Sequence, residues 1–510
     1  MHRLLHALGN PHDRWRAVHV AGTKGKGSTA ALLSAILTAA DYRVGTYSSP
    51  HVASFNERIA LDCLPISDAE LDGLVRRHAP AIEAAAAAEG GALSHFEVAT
   101  ALAFAHFAER KVDIGVVETG LGGVRDATNV FSPSALAAAV LTAVGSDHAA
   151  ALGGGLEQIA AAKAGIMKEG RPAVLARQPE AAAERVLHEA AERLGCDLLA
   201  APAEVQLTPR RLAPALGGGL AQRCTLRLAG PRTQAAFGGS DAANGSDPAA
   251  DGCDVELRLL GRHQLDNAAA AITAAAVLWE QGLGRLDLPA VAAGLATAEL
   301  PGRFQLCRFS EDDRPKAEQG QAQAGGDGAT TAGAGAGAPL VVLDGAHTPE
   351  SAAALAATLR AAYPSATVAL VLAMAEDKEH REVCVELRAL EPEVVVFTQV
   401  AIAGGAGRAA GPGQLAGAWQ AAAILGGGRR KGGTRARELI QASLPAAVEA
   451  ARRELAARVR TSPGGGSSNS SGSGSGSGPN SAAAPAGILL VTGSLHAVGA
   501  ALRQLDLRPN

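Results

Sequence analysis

The chain has 510 residues, enough for two or three domains and a sizeable core, and 46 Lys and Arg against 50 Asp and Glu leave a net charge of -4. That balance excludes a strong basic field for nucleic acid or an anionic membrane, and the 3% aromatic content argues against base-stacking platforms. No apolar run approaches the ~20 residues of a membrane helix, and six scattered cysteines without a CxxC pair indicate neither a zinc site nor a disulfide framework.

Met1 to Arg16 lacks a continuous apolar stretch, so it does not read as a secretory signal. A cytoplasmic location is expected. The segment is mildly basic, and a fragment of a mitochondrial presequence is the alternative. Alanine is so abundant that it counts weakly as evidence for helix.

In chain order, apolar strands are predicted at Ala17–Ala21, Arg43–Tyr47, Asp113–Glu118, Ala137–Val144 and Pro172–Ala176. Helices are predicted at Ser28–Ala40, Asp68–Ala88, Phe96–Glu109 and Leu156–Ala164. Strand–helix–strand alternation implies a doubly wound parallel α/β sheet of the P-loop type. This first domain is expected to span residues 1–298, with a variable insertion at 201–253 whose "GGSDAANGSDPAADG" reads as disordered. A smaller, Rossmann-like α/β domain is expected at 299–510, built on "PLVVLDGAH", "ATVALVLAM", "EVVVFTQV" and "GILLVTGSLHAVG". Low-complexity stretches at 311–338, 404–434 and 462–486 read as flexible insertions in it.

The stretch "VHVAGTKGKGSTAALLSAIL" carries the sharpest chemical signal. A strand runs into Gly22, Gly25 and Gly27, and Ser28 and Thr29 open a helix. Glycines let backbone N–H groups face inward, the helix N-terminus favours an anion, and Lys26 adds a positive charge. The expectation is a cradle for ATP phosphates. The spacing departs from GxxxxGK[ST], because Gly27 separates Lys26 from Ser28.

"AGTKGKGST" resembles the phosphate loop of the Mur ligase superfamily, and more specifically that of the folylpolyglutamate and dihydrofolate synthases. Matching stretches follow in order: "YSSPHVASFNERI", "SHFEVATALAF", "VVETGLGGVRDATNV", "SDHAAALG", "IAAAKAGIMK", "GRHQLDNAAAA", "LPGRFQ", "LDGAHTPES" and "VTGSLHAVG". The resemblance covers nearly the whole chain apart from the insertions.

The resemblance implies ATP and two Mg²⁺ ions, and it implies roles residue by residue. Gly25, Lys26, Gly27 and Ser28 would hold phosphates. Ser49 and Glu118 would ligate one Mg²⁺, with His148 near the second. Lys163, carbamylated in many members, would supply oxygens to that second ion. Asn267, Arg303 and Asp344 would contact the nucleotide. His347 would help to position the acyl phosphate or the amino acid. Thr348 stands where the family usually has Asn, which changes the hydrogen bonding there. The pterin acid would lie along Ser94, His95, Phe96, Glu97, Arg125, Asp126 and Ala127.

The implied reaction is ATP-dependent ligation of L-glutamate to a carboxylate through an acyl phosphate. "NERI", "FE" and "AKAGI" are similar to the bacterial and plant dihydrofolate synthase type, which favours dihydropteroate as the acceptor. Folate, or both acceptors, is the alternative. A Mur-type cell-wall ligase matches fewer motifs, and a catalytically inactive nucleotide-binding scaffold is the reading from a different class. Small-molecule substrates and a monomer are expected, without nucleic acid or membrane.

Overall fold

The computed structural model describes residues 1–145, 154–215, 218–238, 252–309, 339–403, 407–425, 436–461, 485 and 487–509. Two compact units divide the chain, Met1–Leu300 and Pro301–Asn510.

The first unit is built on eight strands: β1 Arg16–Ala21, β2 Val44–Tyr47, β3 Ile59–Leu61, β4 Leu64–Pro65, β5 Ile114–Glu118, β6 Leu136–Leu141, β7 Ala173–Leu175 and β8 Leu198–Ala200. Their order is β4-β3-β2-β5-β1-β6-β7-β8. The six from β2 to β8 pair in parallel, and the β3–β4 hairpin adds an antiparallel edge.

Strand alternation sorts β1 onto two cores. Val18 and Val20 face Leu32, Leu33 and Ile36 of the Lys26–Ala39 helix. Ala17 and Ala21 face the side of Phe104 and Phe107 of the His95–Glu109 helix. β6 reads "LAAAVL" and is wholly buried, so alanine here serves a strand between packed helices. The His263–Glu280 helix is buried from Asn267 through Leu278, so it is covered on every side, and all but Asn267 and Thr273 of that run are apolar.

The 201–253 zone holds more structure than its composition suggests. β9 Val205–Pro214, β10 Leu220–Leu228 and β11 Cys253–Leu257 form a three-stranded antiparallel sheet. Its inward residues Ala221, Cys224, Leu226 and Leu228 are buried at near-regular spacing. Most of "GGSDAANGSDPAADG" lies outside the described residues.

The second unit has seven strands: β12 Gln305–Phe309, β13 Leu340–Leu343, β14 Thr367–Leu372, β15 Val394–Phe397, β16 Arg437–Ile440, β17 Gly487–Thr492 and β18 Leu507–Pro509. Their order is β16-β15-β14-β17-β13-β12-β18, parallel from β16 to β13 and antiparallel at β12 and β18. One expectation needs correcting: the 404–434 stretch contains a helix, Pro412–Leu425. Leu415, Trp419 and Ala422 recur at helical spacing, are buried, and supply the apolar stripe that Gly and Ala content obscured. The 311–338 stretch, and 462–486 apart from residue 485, lie outside the described residues. Among the described residues, no helix is long and apolar enough to cross a membrane.

Candidate active site

The carboxyl ends of β1, β2 and β5 converge where open α/β sheets bind ligands. β1 delivers Gly22–Gly25 to the Lys26–Ala39 helix. Gly25 has φ +89°, and a Cβ there would lie 2.2 Å from Asn267 Oδ1. A Cβ on Gly22 would lie 1.8 Å from Thr142 Oγ1. Both positions therefore require glycine, one for its left-handed backbone and both for space. No side chain caps the helix, whose first bond runs from Thr29 N–H to Gly25 C=O at 2.8 Å. The earlier N–H groups point out of the helix end, where the macrodipole favours an anion. Thr29 Oγ1 is buried without a hydrogen-bond partner.

Two lysines meet on one oxygen. Lys26 Nζ donates to the Gly22 carbonyl at 3.1 Å, and Lys163 Nζ donates to the same carbonyl at 2.8 Å. Lys163 is buried near the end of the Leu156–Ala164 helix. Glu118 ends β5, is buried, and accepts the Ser49 backbone N–H at 3.1 Å. A Cβ on Gly27 would stand 3.5 Å from Glu118 Oε2, so the carboxylate borders the helix start. Gly25, Lys26, Gly27, Ser28, Ser49, Glu118, Lys163 and Asn267 thus belong to one neighbourhood. His148 lies outside the described residues.

The donors suit a hard cation that shares its shell with phosphate. Among the described residues, no group of three or more His, Cys, Asp or Glu forms a protein-only metal cage. One carboxylate and one hydroxyl beside an anion-favouring helix end fit Mg²⁺, which keeps waters and phosphate oxygens in its shell.

Beside this corner lies a cleft of about 940 Å³, lined by Ser49, Arg58, Ser94, Phe96, Glu97, Leu121, Val124, Arg125, Asp126 and Ala127, among others. Leu121 and Val124 are exposed apolar groups on its wall. Ser94 and Glu97 close a capping box on the His95–Glu109 helix: Glu97 Oε2 accepts the Ser94 N–H at 2.9 Å and its hydroxyl at 2.8 Å. His95 is exposed and is not among the residues lining the cleft. Asp126 organises the loop after β5. Its Oδ2 accepts Leu121 N–H at 2.8 Å, and its Oδ1 accepts the Thr128 N–H and hydroxyl at 3.0 and 2.6 Å. Thr128 Oγ1 lies 2.8 Å from Nε2 of His19 on β1. Burial, with Lys168 nearby, pushes the His19 pKa down to about 3, so the ring is neutral. The Thr128 hydroxyl proton goes to Asp126, so His19 Nε2–H is the donor to Thr128.

In the second unit, Asp344 Oδ2 accepts Phe304 N–H and its Oδ1 accepts Ala346 N–H, both at 2.8 Å. Burial raises the Asp344 pKa, opposed by Arg303. A Cβ on Gly345 would lie 3.0 Å from Arg303 Nη1, so these residues are neighbours. His347 Nδ1 donates to the Gly345 carbonyl at 2.7 Å, which fixes its proton on that nitrogen. Thr348 is the N-cap of the Pro349–Ala362 helix and shares a capping box with Ser351.

Sequence reasoning passed over Arg58, although its "NERI" motif was in view. It also passed over the Gly22–Thr142 contact, which joins residues 120 positions apart and carries no local pattern.

Over 394 residues the chain is 35% identical to the dihydrofolate synthase/folylpolyglutamate synthase of Bacillus subtilis (strain 168), covering 76% of this chain and 78% of that protein. The chain belongs to the dihydrofolate synthase/folylpolyglutamate synthase family. Within that family, Mycobacterium tuberculosis folylpolyglutamate synthase complexed with ADP matches with a TM-score of 0.73 and 27% identity, over 100% of this chain and 94% of that one. A folylpolyglutamate synthase complex with AMPPCP and folate matches with a TM-score of 0.66 and 26% identity, over 98% of this chain and 92% of that one. Residues 331–459 match the glutamate ligase domain of the Mur ligases, which agrees with family membership.

Proposed function

We propose that this ATP-dependent ligase of the folate family joins L-glutamate to the carboxylate of 7,8-dihydropteroate. The observation that carries this reading is the cleft of about 940 Å³ opening beside Ser49 and Glu118. Phe96, Leu121 and Val124 offer apolar contact to a flat ring, and Glu97 and Asp126 offer acceptors to its N–H groups. An acid lying there would bring its carboxylate toward the phosphate loop.

In this mechanism the loop amides and Lys26 hold the triphosphate, and the acceptor carboxylate attacks the γ-phosphorus. ADP leaves and an acyl phosphate forms. Lys26 faces the charge that spreads over the transferring group. Glu118 and Ser49 would hold Mg²⁺, which would supply charge neutralisation for that transfer. Carbamylation of Lys163 by CO₂ would add two oxygens beside the loop, and the carbamate N–H would keep its bond to the Gly22 carbonyl. The neutral α-amine of glutamate then attacks the acyl carbon, the tetrahedral adduct expels phosphate, and an amide remains. Asn267, Arg303 and Asp344 are assigned to the nucleotide, and His347 to positioning the acyl phosphate or the amino acid.

The preference for dihydropteroate rests on the resemblance of the Asn56–Ile59, Phe96–Glu97 and Ala162–Ile166 motifs. The folate-bound relative favours a second reading, folylpolyglutamate synthesis, either alone or alongside the first. The deciding experiment measures phosphate release with Mg-ATP and glutamate, offering dihydropteroate or tetrahydrofolate monoglutamate. A higher kcat/KM with dihydropteroate is expected. Release indifferent to both acceptors would remove the ligase reading.

A further inference from the structure

Arg58 is a cation in the cleft wall to which neither the phosphate loop nor the metal corner assigns a task. It ends the short 3-10 helix Phe55–Arg58, and its surroundings are closely braced. The preceding residue, Glu57, turns its carboxylate back on the loop and accepts the N–H groups of Val52, Ala53 and Ser54 at 2.7, 2.9 and 2.8 Å. Three charge-assisted bonds make this loop rigid. The Arg58 carbonyl accepts Ser48 N–H at 3.0 Å, next to the Ser49 that donates to Glu118. Arg58 is therefore tied through backbone to the metal corner.

The side chain is braced as well. Arg58 Nε donates to His51 Nδ1 at 2.9 Å, and its guanidinium carbon lies 5.6 Å from the Phe55 ring centroid. The buried Tyr47 at the end of β2 lies near enough for the guanidinium to act on its hydroxyl. None of these neighbours is an anion, so the guanidinium charge is held in place without being neutralised. Arg125 is also in the cleft wall, but it is exposed, and no described residue forms a hydrogen bond or ion pair with it.

We propose that Arg58 grips the carboxylate of the acceptor acid and holds it toward the Ser49–Glu118 end of the cleft, with His51 as its positioning residue. The inference rests on the reading of the cleft as the site of a pterin acid. A guanidinium fork matches a carboxylate and offsets its charge as it approaches a triphosphate. Each carboxylate oxygen has two lone-pair sites, so one held by Arg58 keeps a lone pair for the γ-phosphorus.

The test uses the full chain with Mg²⁺ and a non-hydrolysable ATP analogue. Titration calorimetry compares pteroate with the same molecule lacking its carboxylate, and steady-state assays give KM for the acceptor and for L-glutamate. The wild type is expected to favour pteroate by roughly 30-fold or more, the scale of a charge-assisted pair withdrawn from water. Arg58→Gln should bring that preference close to one by weakening pteroate alone, Arg58→Lys should restore part of it, and KM for glutamate should hold. Equal weakening of both ligands in Arg58→Gln would overturn the role and leave the cleft reading standing. So would a preference erased by Arg125→Gln but kept by Arg58→Gln, or a rise confined to the KM of glutamate. A wild type that bound neither ligand would overturn the cleft reading and this proposal together.

Discussion

Lys163 Nζ donates to the Gly22 carbonyl across 2.8 Å, although 141 positions separate the two residues. The bond ties the Leu156–Ala164 helix to the start of the phosphate loop. Lys163→Met should therefore lower kcat by about 100-fold or more, the scale of losing one preorganised electrostatic group. If the lysine works as a carbamate, stripping CO₂ from wild-type enzyme should depress activity and bicarbonate should restore it. Activity assays with ¹³C-bicarbonate NMR check both outcomes, and an activity indifferent to CO₂ would exclude the carbamate.

Gly25→Ala should damage the loop for two separable reasons. The φ of +89° is left-handed, and the new methyl would meet Asn267 Oδ1 at 2.2 Å. The backbone term alone is about 1–2 kcal/mol. Adding Asn267→Ala should recover the steric part of the stability loss and leave the backbone part. Thermal denaturation of the single and double variants separates the two terms.

His19 predicts acid sensitivity. Its folded pKa lies near 3, below the ordinary 6.5. Between those values the unfolded chain binds the extra proton, so stability rises with pH and is lost as pH falls from about 6.5 toward 3. The slope approaches about 1.4 kcal/mol per pH unit. His19→Gln keeps a donor for Thr128 without a titrating group and should flatten this dependence. His12 and His106, also lowered by burial, should leave a residual slope. Urea midpoints from pH 4 to 7 measure the difference.

Asp344→Asn should destabilise the second unit. The carboxylate accepts Phe304 and Ala346 N–H groups with different oxygens, and an amide can serve only one of them. The unpaired buried donor should cost about 1–3 kcal/mol, read from denaturant unfolding.

Much of the first unit was legible from pattern. β1, β5 and the Asp68–Ala88 and Leu156–Ala164 helices fall within a residue of where apolar periodicity puts them, because burial on a sheet leaves a local signature. The phosphate loop was equally plain, since its glycines answer to backbone geometry within a few residues. Lys163 was marked by the family resemblance alone, because its place on a helix carries no local pattern, and its bond to Gly22 comes from the fold. Arg58 stayed hidden because its meaning comes from His51, Tyr47 and Phe55 arriving around it. The Pro412–Leu425 helix was missed because three buried side chains were diluted by glycine and alanine.

Alanine enrichment has opposite consequences in two places. In the His263–Glu280 helix, Ala270, Ala271, Ala274 and Ala275 are sealed from solvent, so enlarging any of them forces neighbours apart at about 1–3 kcal/mol. In the Asp68–Ala88 helix, Ala84, Ala87 and Ala88 face outward and leave room for almost any helix former. Drift in base composition would thus rewrite the second helix freely while the first stayed frozen, so the two should diverge at very different rates.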